Sequence, residues 1–274
     1  MGHGIAQVAA AAGYSVVLRD VNEEAVTSGL ESIKRNLAKG IQRGKVSEAD
    51  RDQTLARIQT ATSIEDLREA DLIIEAAPER LDLKQTLLRE TEAIVNQDCV
   101  FATNTSSLSI DEIAEASSRP AQVVGMHFFN PVHIMRLVEI VSGPRTSEST
   151  VAVVRAVAQR MKKEPIIVRD VPGFASSRLG VTLGLEAMRM VEQGVASARD
   201  IDTAMELGYN HPMGPLRLTD LVGLDVRLSI AEYLHGKLGS ETFRPPEILR
   251  RMVREGKLGK KSGEGFYKWS DARN

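Results

Sequence analysis

The chain has 274 residues, 26% of them charged, a formal net charge of −2 and one cysteine, Cys99. The near-balanced charge carries no footprint of nucleic acid or membrane binding, no apolar run reaches the roughly 18 residues of a membrane span, and no basic segment with an apolar core opens the chain as an export signal. A lone cysteine excludes an internal disulfide framework, and no Cys/His cluster has metal-ligand spacing, so a reducing, cytoplasmic setting without a bound metal is expected. Cys99 itself reads as a small buried residue beside a strand.

The chain opens MGHGIAQVAAAAGYSVVLRD. Gly2 and Gly4 precede an apolar helical run (Ile5, Val8, Ala9, Ala12), Gly13 breaks it, and an apolar strand ends at Asp20. A helix N-terminus offers unpaired N–H groups to a pyrophosphate, and glycine lets the backbone approach it closely. An acid at the end of the following strand can bind both ribose hydroxyls and repels a 2′-phosphate, so Asp20 predicts NAD rather than NADP. Alone, this pattern is common in α/β proteins and serves structure as often as ligands. After Asp20, the stripe Val26, Leu30, Ile33, Leu37, Ile41 has spacings of four and three and predicts a long helix. Lys34, Arg35, Lys39, Arg43 and Lys45 form a basic cluster there, suited either to a phosphate or to a solvated face.

Further strands are predicted over 71–76, 100–103, 123–129, 137–141 and 165–168, after a first at 15–19. Helices are predicted over 81–95 and 151–161, with another opened by the capping-box pattern Ser109-Ile110-Asp111-Glu112. Such alternation implies βα units around a mostly parallel sheet, a Rossmann-like α/β domain. The strand in DLIIEAAPERLDLK runs into a polar turn with Glu79 and Lys84, and the strand in VFATNTSSLSI ends in small polar residues 104–107. The C-terminal ends of parallel strands face the ligand crevice, although small polar residues also simply cap helices.

GMHFFNPVHIMRLVEIV is the most informative stretch. Its two strands follow one another with no room for a helix, which predicts an antiparallel pair. With a turn centred near His133, His127 faces Glu139, and opposed side chains have Cβ atoms about 4.5–5.5 Å apart. A buried imidazole beside a buried carboxylate is a general-base arrangement in which the carboxylate fixes the tautomer. Asn130 follows at once and could donate to a substrate carbonyl. His3, His133, His211 and His235 have no such partner in the sequence and read as structural or solvent-facing.

The character changes at RDVPGF, where Pro172 and Gly173 punctuate a linker over 169–173. Helical patterns follow almost without strands: 176–192, 198–207, 224–238 and 247–254. The first of these is apolar on more than one face, which implies burial in a core or a subunit interface, and a homodimer through this region is expected. The predicted organisation is a Rossmann-like domain over 1–171 and an all-α domain over 172–274.

Taken together, GHGIAQVAAAAGYSVVLRD, ATNTSSLSI, GMHFFNPV, RLVEIV, DVPGF, ELGYNHPMGPLRLTDLVGLD and GKLGKKSGEGFYKW resemble the 3-hydroxyacyl-CoA dehydrogenases, in particular the bacterial 3-hydroxybutyryl-CoA type, over essentially the whole chain. The resemblance implies NAD-dependent interconversion of (S)-3-hydroxyacyl-CoA and 3-oxoacyl-CoA on a two-domain dimer. It implies that His127 is the catalytic acid/base, Glu139 its partner, and Ser106 and Asn130 contacts to substrate and nicotinamide. Gly2, Asp20, Glu79, Lys84 and Lys261 match cofactor-contacting positions, and Asn36 and Arg43 match CoA-contacting ones. Ser177 stands where the family usually has Asn, a shorter donor that changes the expected substrate pose. Met1-Gly2 match the end of a G-x-G-x-x-G turn, so the resemblance implies a β-strand and two further glycines upstream, about ten residues. Without them weaker NAD binding and lower stability are expected. Two alternatives remain at this point: a CoA- or nucleotide-binding homologue with impaired turnover, and a β-hydroxyacid dehydrogenase using a catalytic lysine.

Overall fold

The computed structural model describes residues 1–269 and forms two compact units, Met1–Val171 and a second that begins at Pro172. In the first unit the elements run α1 (Gly2–Ala11), β1 (Val16–Arg19), α2 (Glu23–Gln42), α3 (Glu48–Ala56), β2 (Ile58–Ala61), β3 (Leu72–Glu75), α4 (Leu81–Glu92), β4 (Val100–Thr103), α5 (Ile110–Ala114), β5 (Val123–Phe128), β6 (Leu137–Ser142), α6 (Glu148–Arg160) and β7 (Glu164–Arg169). α2 has the strongest local reasons to be helical. Asn22 caps it by accepting from the Ala25 N–H, Glu23 and Glu24 occupy the first turn, and Val26, Ile33 and Leu37 form its buried stripe.

The strands form two sheets. β1 and β2 pair in parallel by themselves, and β3-β4-β5-β6-β7 form a five-stranded sheet. β3, β4 and β5 are parallel, β5 and β6 antiparallel, and β6 and β7 parallel. β1 and β3 are therefore each paired on one edge only among the described residues. One apolar cluster nevertheless joins both sheets: Ile5 and Ala9 of α1 share it with Val16 of β1, Leu72 and Ile74 of β3, and the central strands.

The strands expected from the sequence appear with boundaries shifted by a residue or so. β2 and α3 are additions. β2 (IQTA) exposes both central residues, so it carries almost no apolar signal.

The second unit is helical: α7 (Ser176–Glu192), α8 (Ala198–Gly208), α9 (Pro215–Val222), α10 (Leu224–Leu238) and α11 (Glu247–Arg254). Val181, Leu185 and Met188 of α7 enclose its core with Leu216, Leu224, Leu234 and Leu249. α9 is the helix that sequence reading passes over, because Pro212, Gly214 and Pro215 read as a loop; Pro215 instead sits in the first turn, where its missing N–H costs nothing. Asp220 of α9 is fully buried. It accepts from the Phe266 and Tyr267 N–H groups and from Trp269 Nε1, anchoring the segment after α11.

Candidate active site

β5 and β6 set the central pair. The register places His127 opposite Glu139 and Phe128 opposite Val138, as the sequence spacing predicts. His127 Nδ1 donates to Glu139 Oε2 at 2.8 Å. Glu139 is fully buried and His127 is 8% exposed. A carboxylate can only accept here, so Nδ1 carries the proton and Nε2 is left as the basic nitrogen. Phe129 packs beside the imidazole in a tilted arrangement, ring centroids 4.6 Å apart and planes at 48°. The hairpin is held from two sides. Phe128 N–H donates to Asn104 Oδ1 at the end of β4. Lys163 donates to the carbonyls of Val132 and Met135 in the connection between β5 and β6. Asn130 is exposed in that connection, next to a cis Asn130-Pro131 bond.

Ser106 lies on the turn after β4, which is organised by Glu79. One oxygen of Glu79 accepts from Thr105 Oγ1 at 2.6 Å, from the Ser106 and Ser107 N–H groups at 2.9 and 3.1 Å, and from both serine hydroxyls. Burial pushes the Glu79 carboxyl upward, but the Thr105 hydrogen bond, the nearby Lys84 charge and the turn's N–H groups outweigh it and leave the group below its ordinary value. Behind this turn, Lys84 is 1% exposed. Its ammonium donates to both oxygens of Glu75 at 2.9 and 3.1 Å and to the Ala77 carbonyl, and lies 3.4 Å from Glu79. Thr103 Oγ1 completes the cluster on Glu75 at 2.7 Å. Lys84, which the resemblance matches to a cofactor-contacting position, is enclosed here with its charge on Glu75. Glu75 and Thr103 are functional neighbours that sequence reading missed. The signal was a single charge inside the apolar strand LIIE, with a lysine nine residues on.

The helix α1 begins without a side-chain cap and without an acid in its first turn. A Cβ on Gly2 would meet only Ala76 at 3.8 Å, whereas one on Gly4 would press Val132 at 3.0 Å. Gly2 thus sits uncrowded at a helix N-terminus, and Gly4 serves packing. Asp20 is exposed at the end of β1, one carboxylate oxygen accepting from the Val21 N–H. These features fit a dinucleotide: free N–H groups for a pyrophosphate and a carboxylate for ribose hydroxyls.

A cavity of about 330 Å³ opens beside α1, lined by His3, Gly4, Asn36, Lys39, Arg43 and residues 130–134 among others. No carboxylate is among its lining residues. Asn36 donates to Gln7 at 3.2 Å, while Lys39 and Arg43 are exposed. His3 and His133, read from the sequence as structural or solvent-facing, both border this cavity. Burial lowers the pKa of each, with added repulsion from the terminal ammonium, His133 and Arg35 on His3 and from Lys163 and Lys39 on His133.

In the helical unit, Ser177 is half-buried in the first turn of α7. Lys261 is exposed and donates to Asp225 at 2.6 Å. His235 does have a partner, Glu241, at 3.1 Å. Among the described residues no His/Cys/Asp/Glu group could hold a metal, and no helix is long and apolar enough to cross a membrane.

Residues 1–171 match the model of the 3-hydroxyacyl-CoA dehydrogenase NAD-binding domain, and residues 173–269 match that of the family's C-terminal domain. A probable 3-hydroxybutyryl-CoA dehydrogenase of Deinococcus radiodurans is 45% identical over 269 residues, covering 98% of this chain and 96% of that one. The 3-hydroxybutyryl-CoA dehydrogenase of Clostridioides difficile is 41% identical, covering 98% and 96%. The crystal structure of (S)-3-hydroxybutyryl-CoA dehydrogenase from Ralstonia eutropha superposes with a TM-score of 0.96 at 42% identity, covering 99% and 96%. With its His–Glu pair on an antiparallel hairpin beside a dinucleotide-type helix start, the chain belongs to the 3-hydroxyacyl-CoA dehydrogenase family, an NAD-dependent family of oxidoreductases.

Proposed function

We propose that the protein interconverts short-chain (S)-3-hydroxyacyl-CoA and 3-oxoacyl-CoA, with 3-hydroxybutyryl-CoA among its substrates. The observation that carries this reading is the buried His127–Glu139 pair at 2.8 Å, in a chain whose relatives bear that activity in their names. His127 Nε2 accepts the proton of the 3-hydroxyl, and Glu139 stabilises the imidazolium that forms. NAD, when bound, supplies the acceptor for the hydride leaving C3. Ser106 and Asn130 hold the developing carbonyl and the thioester end. Gly2 and Asp20 hold the cofactor, and Lys261 is assigned as a further cofactor contact by its match to the family position. Glu79 borders the cofactor and also positions Ser106, and Lys84 fixes Glu79 from behind. Asn36 and Arg43 contact CoA across the cation-lined cavity, where a phosphate meets no opposing carboxylate. Ser177 is the helical unit's substrate contact by its match to the family position. The two fully enclosed or near-enclosed lysines, Lys84 and Lys163, are engaged with Glu75 and with backbone carbonyls, which favours the histidine mechanism over a lysine-based one.

The assembly we assign is a homodimer. Leu179 and Leu183 of α7, Leu218 and Leu221 of α9, and Val226 of α10 are all exposed, and such a concentration of apolar side chains on one helical unit suits a partner surface. The balanced charge and single cysteine suit a cytoplasmic location. The test of the chemistry is His127→Gln, assayed for NADH formation from (S)-3-hydroxybutyryl-CoA and for NADH binding by fluorescence. Binding is retained and turnover falls by about 10²–10⁴; near-normal turnover overturns the assignment of His127.

A further inference from the structure

The cavity beside α1 is bordered by two histidines to which the dehydrogenase reading gives no task. His3 comes from the first turn of α1 and His133 from the connection between β5 and β6. These two elements press together: a Cβ on Gly4 would meet Val132 at 3.0 Å. Glycine thus lets α1 close on the connection and brings His3 and His133 to the wall of one cavity. α2 adds Asn36, Lys39 and Arg43 to the same wall.

The charges that reach the two imidazoles are all positive. The terminal ammonium, His133 and Arg35 act on His3, and Lys163 and Lys39 act on His133. Arg43 lines the cavity too, and no carboxylate does. Lys163 is the most telling of these groups. It is 7% exposed, and its ammonium donates to the Val132 and Met135 carbonyls. Among the described residues no carboxylate pairs with it, although a buried cation ordinarily has a counter-charge. The connection that Lys163 braces is itself a wall of the cavity, so an anion seated there would supply one. Burial and the surrounding cations hold both imidazoles below the ordinary histidine value, and both are neutral at pH 7 when no anion is near.

We propose that His3 and His133 bind a phosphate group of the CoA thioester in this cavity and take up protons as it enters. The inference rests on the reading of this cavity as the CoA site. Its sign is fixed by the charges. An anion within about 4–6 Å favours the imidazolium, so the phosphate and the protons stabilise one another, and binding strengthens as the pH falls from 8 toward 6.5. Each rise of about one in a histidine's pKa is worth up to about tenfold in affinity. The ligand itself does not mask the effect. A phosphate monoester, with a second pKa of about 6, is about nine-tenths dianionic at pH 7 and can release only about 0.1 proton.

The experiment is titration calorimetry of CoA, and separately of NAD, at pH 7.0 in two buffers of different ionisation enthalpy, which counts the protons exchanged on binding. Binding is read rather than turnover, because the reaction passes its own proton to His127. Wild type is expected to take up about half a proton or more with CoA. A His3→Gln, His133→Gln double variant loses that uptake, while any proton taken by His127 remains in it. Between pH 8 and 6.5 the wild-type Kd for CoA falls about fivefold, and that of the double variant changes less than twofold. Uptake with NAD and none with CoA would defeat the reading of the cavity as the CoA site, yet keep the two histidines as phosphate ligands if the double variant abolishes it. CoA and NAD binding without proton exchange, or with the same exchange in the double variant, overturns the proposal. Proton NMR of the wild-type histidines needs no variant to fold. At least two of the five are expected to titrate at higher pH once CoA is bound, and fewer than two would likewise overturn it.

Discussion

His127 and Glu139 show how a residue-level feature can be legible without any structure. Twelve residues apart around a short turn, they could face each other only if both segments were strands, and the apolar residues on either side made that reading the natural one. The surroundings of Lys84 were harder to read. Its place in a polar turn after a strand pointed to the ligand crevice, but the partner that encloses it, Glu75, sits within an apolar strand where a charge is easily overlooked. The cluster has a measurable consequence. Lys84→Met leaves Glu75, with a side chain 3% exposed, buried without its cation. Breaking a buried pair from one side costs about 3–5 kcal/mol. Urea unfolding should show a loss of that order, with a lower midpoint and little change in slope. A variant as stable as wild type would mean that the cluster is solvated.

At the level of elements, local signals were strong wherever an element carried a regular apolar pattern. α7, α10 and α11 take the predicted spans, and the hairpin register was readable from its spacing. The elements that escaped have physical reasons for doing so. β2 exposes its middle, and α9 begins in a run of proline and glycine that resembles a loop until the helix is seen to start on Pro215. The cavity between α1, α2 and the β5–β6 connection also escaped, because His3 and His133 lie 130 residues apart and meet only when the chain folds. Its pH behaviour follows from their environment. Both histidines are held below their ordinary value, chiefly by burial and then by surrounding cations. Below about pH 6.5 the unfolded chain binds protons that the folded protein resists, so stability falls as the pH drops through that range. A His3→Gln, His133→Gln double variant should lose less of its urea midpoint between pH 7.5 and 5.5 than wild type. An identical loss in both proteins would show that the cavity does not perturb the two imidazoles.

For the whole molecule, the sequence conveyed the order of an α/β unit followed by a helical one, because strand and helix periodicities change so sharply near Pro172. It could not convey how the sheet divides. β1-β2 and β3 to β7 are separate ladders bound into one apolar cluster by α1, a result of packing between residues far apart in the chain. The assignment of chemistry to this frame rests on a proton acceptor oriented by a buried carboxylate and on a substrate held as its CoA thioester. The most direct measurement is the initial rate of NADH formation at saturating NAD, with (S)-3-hydroxybutyryl-CoA set against free (S)-3-hydroxybutyrate. The account predicts saturable NADH production from the thioester and little from the free acid. Equal rates with both, or none with the thioester, would contradict it.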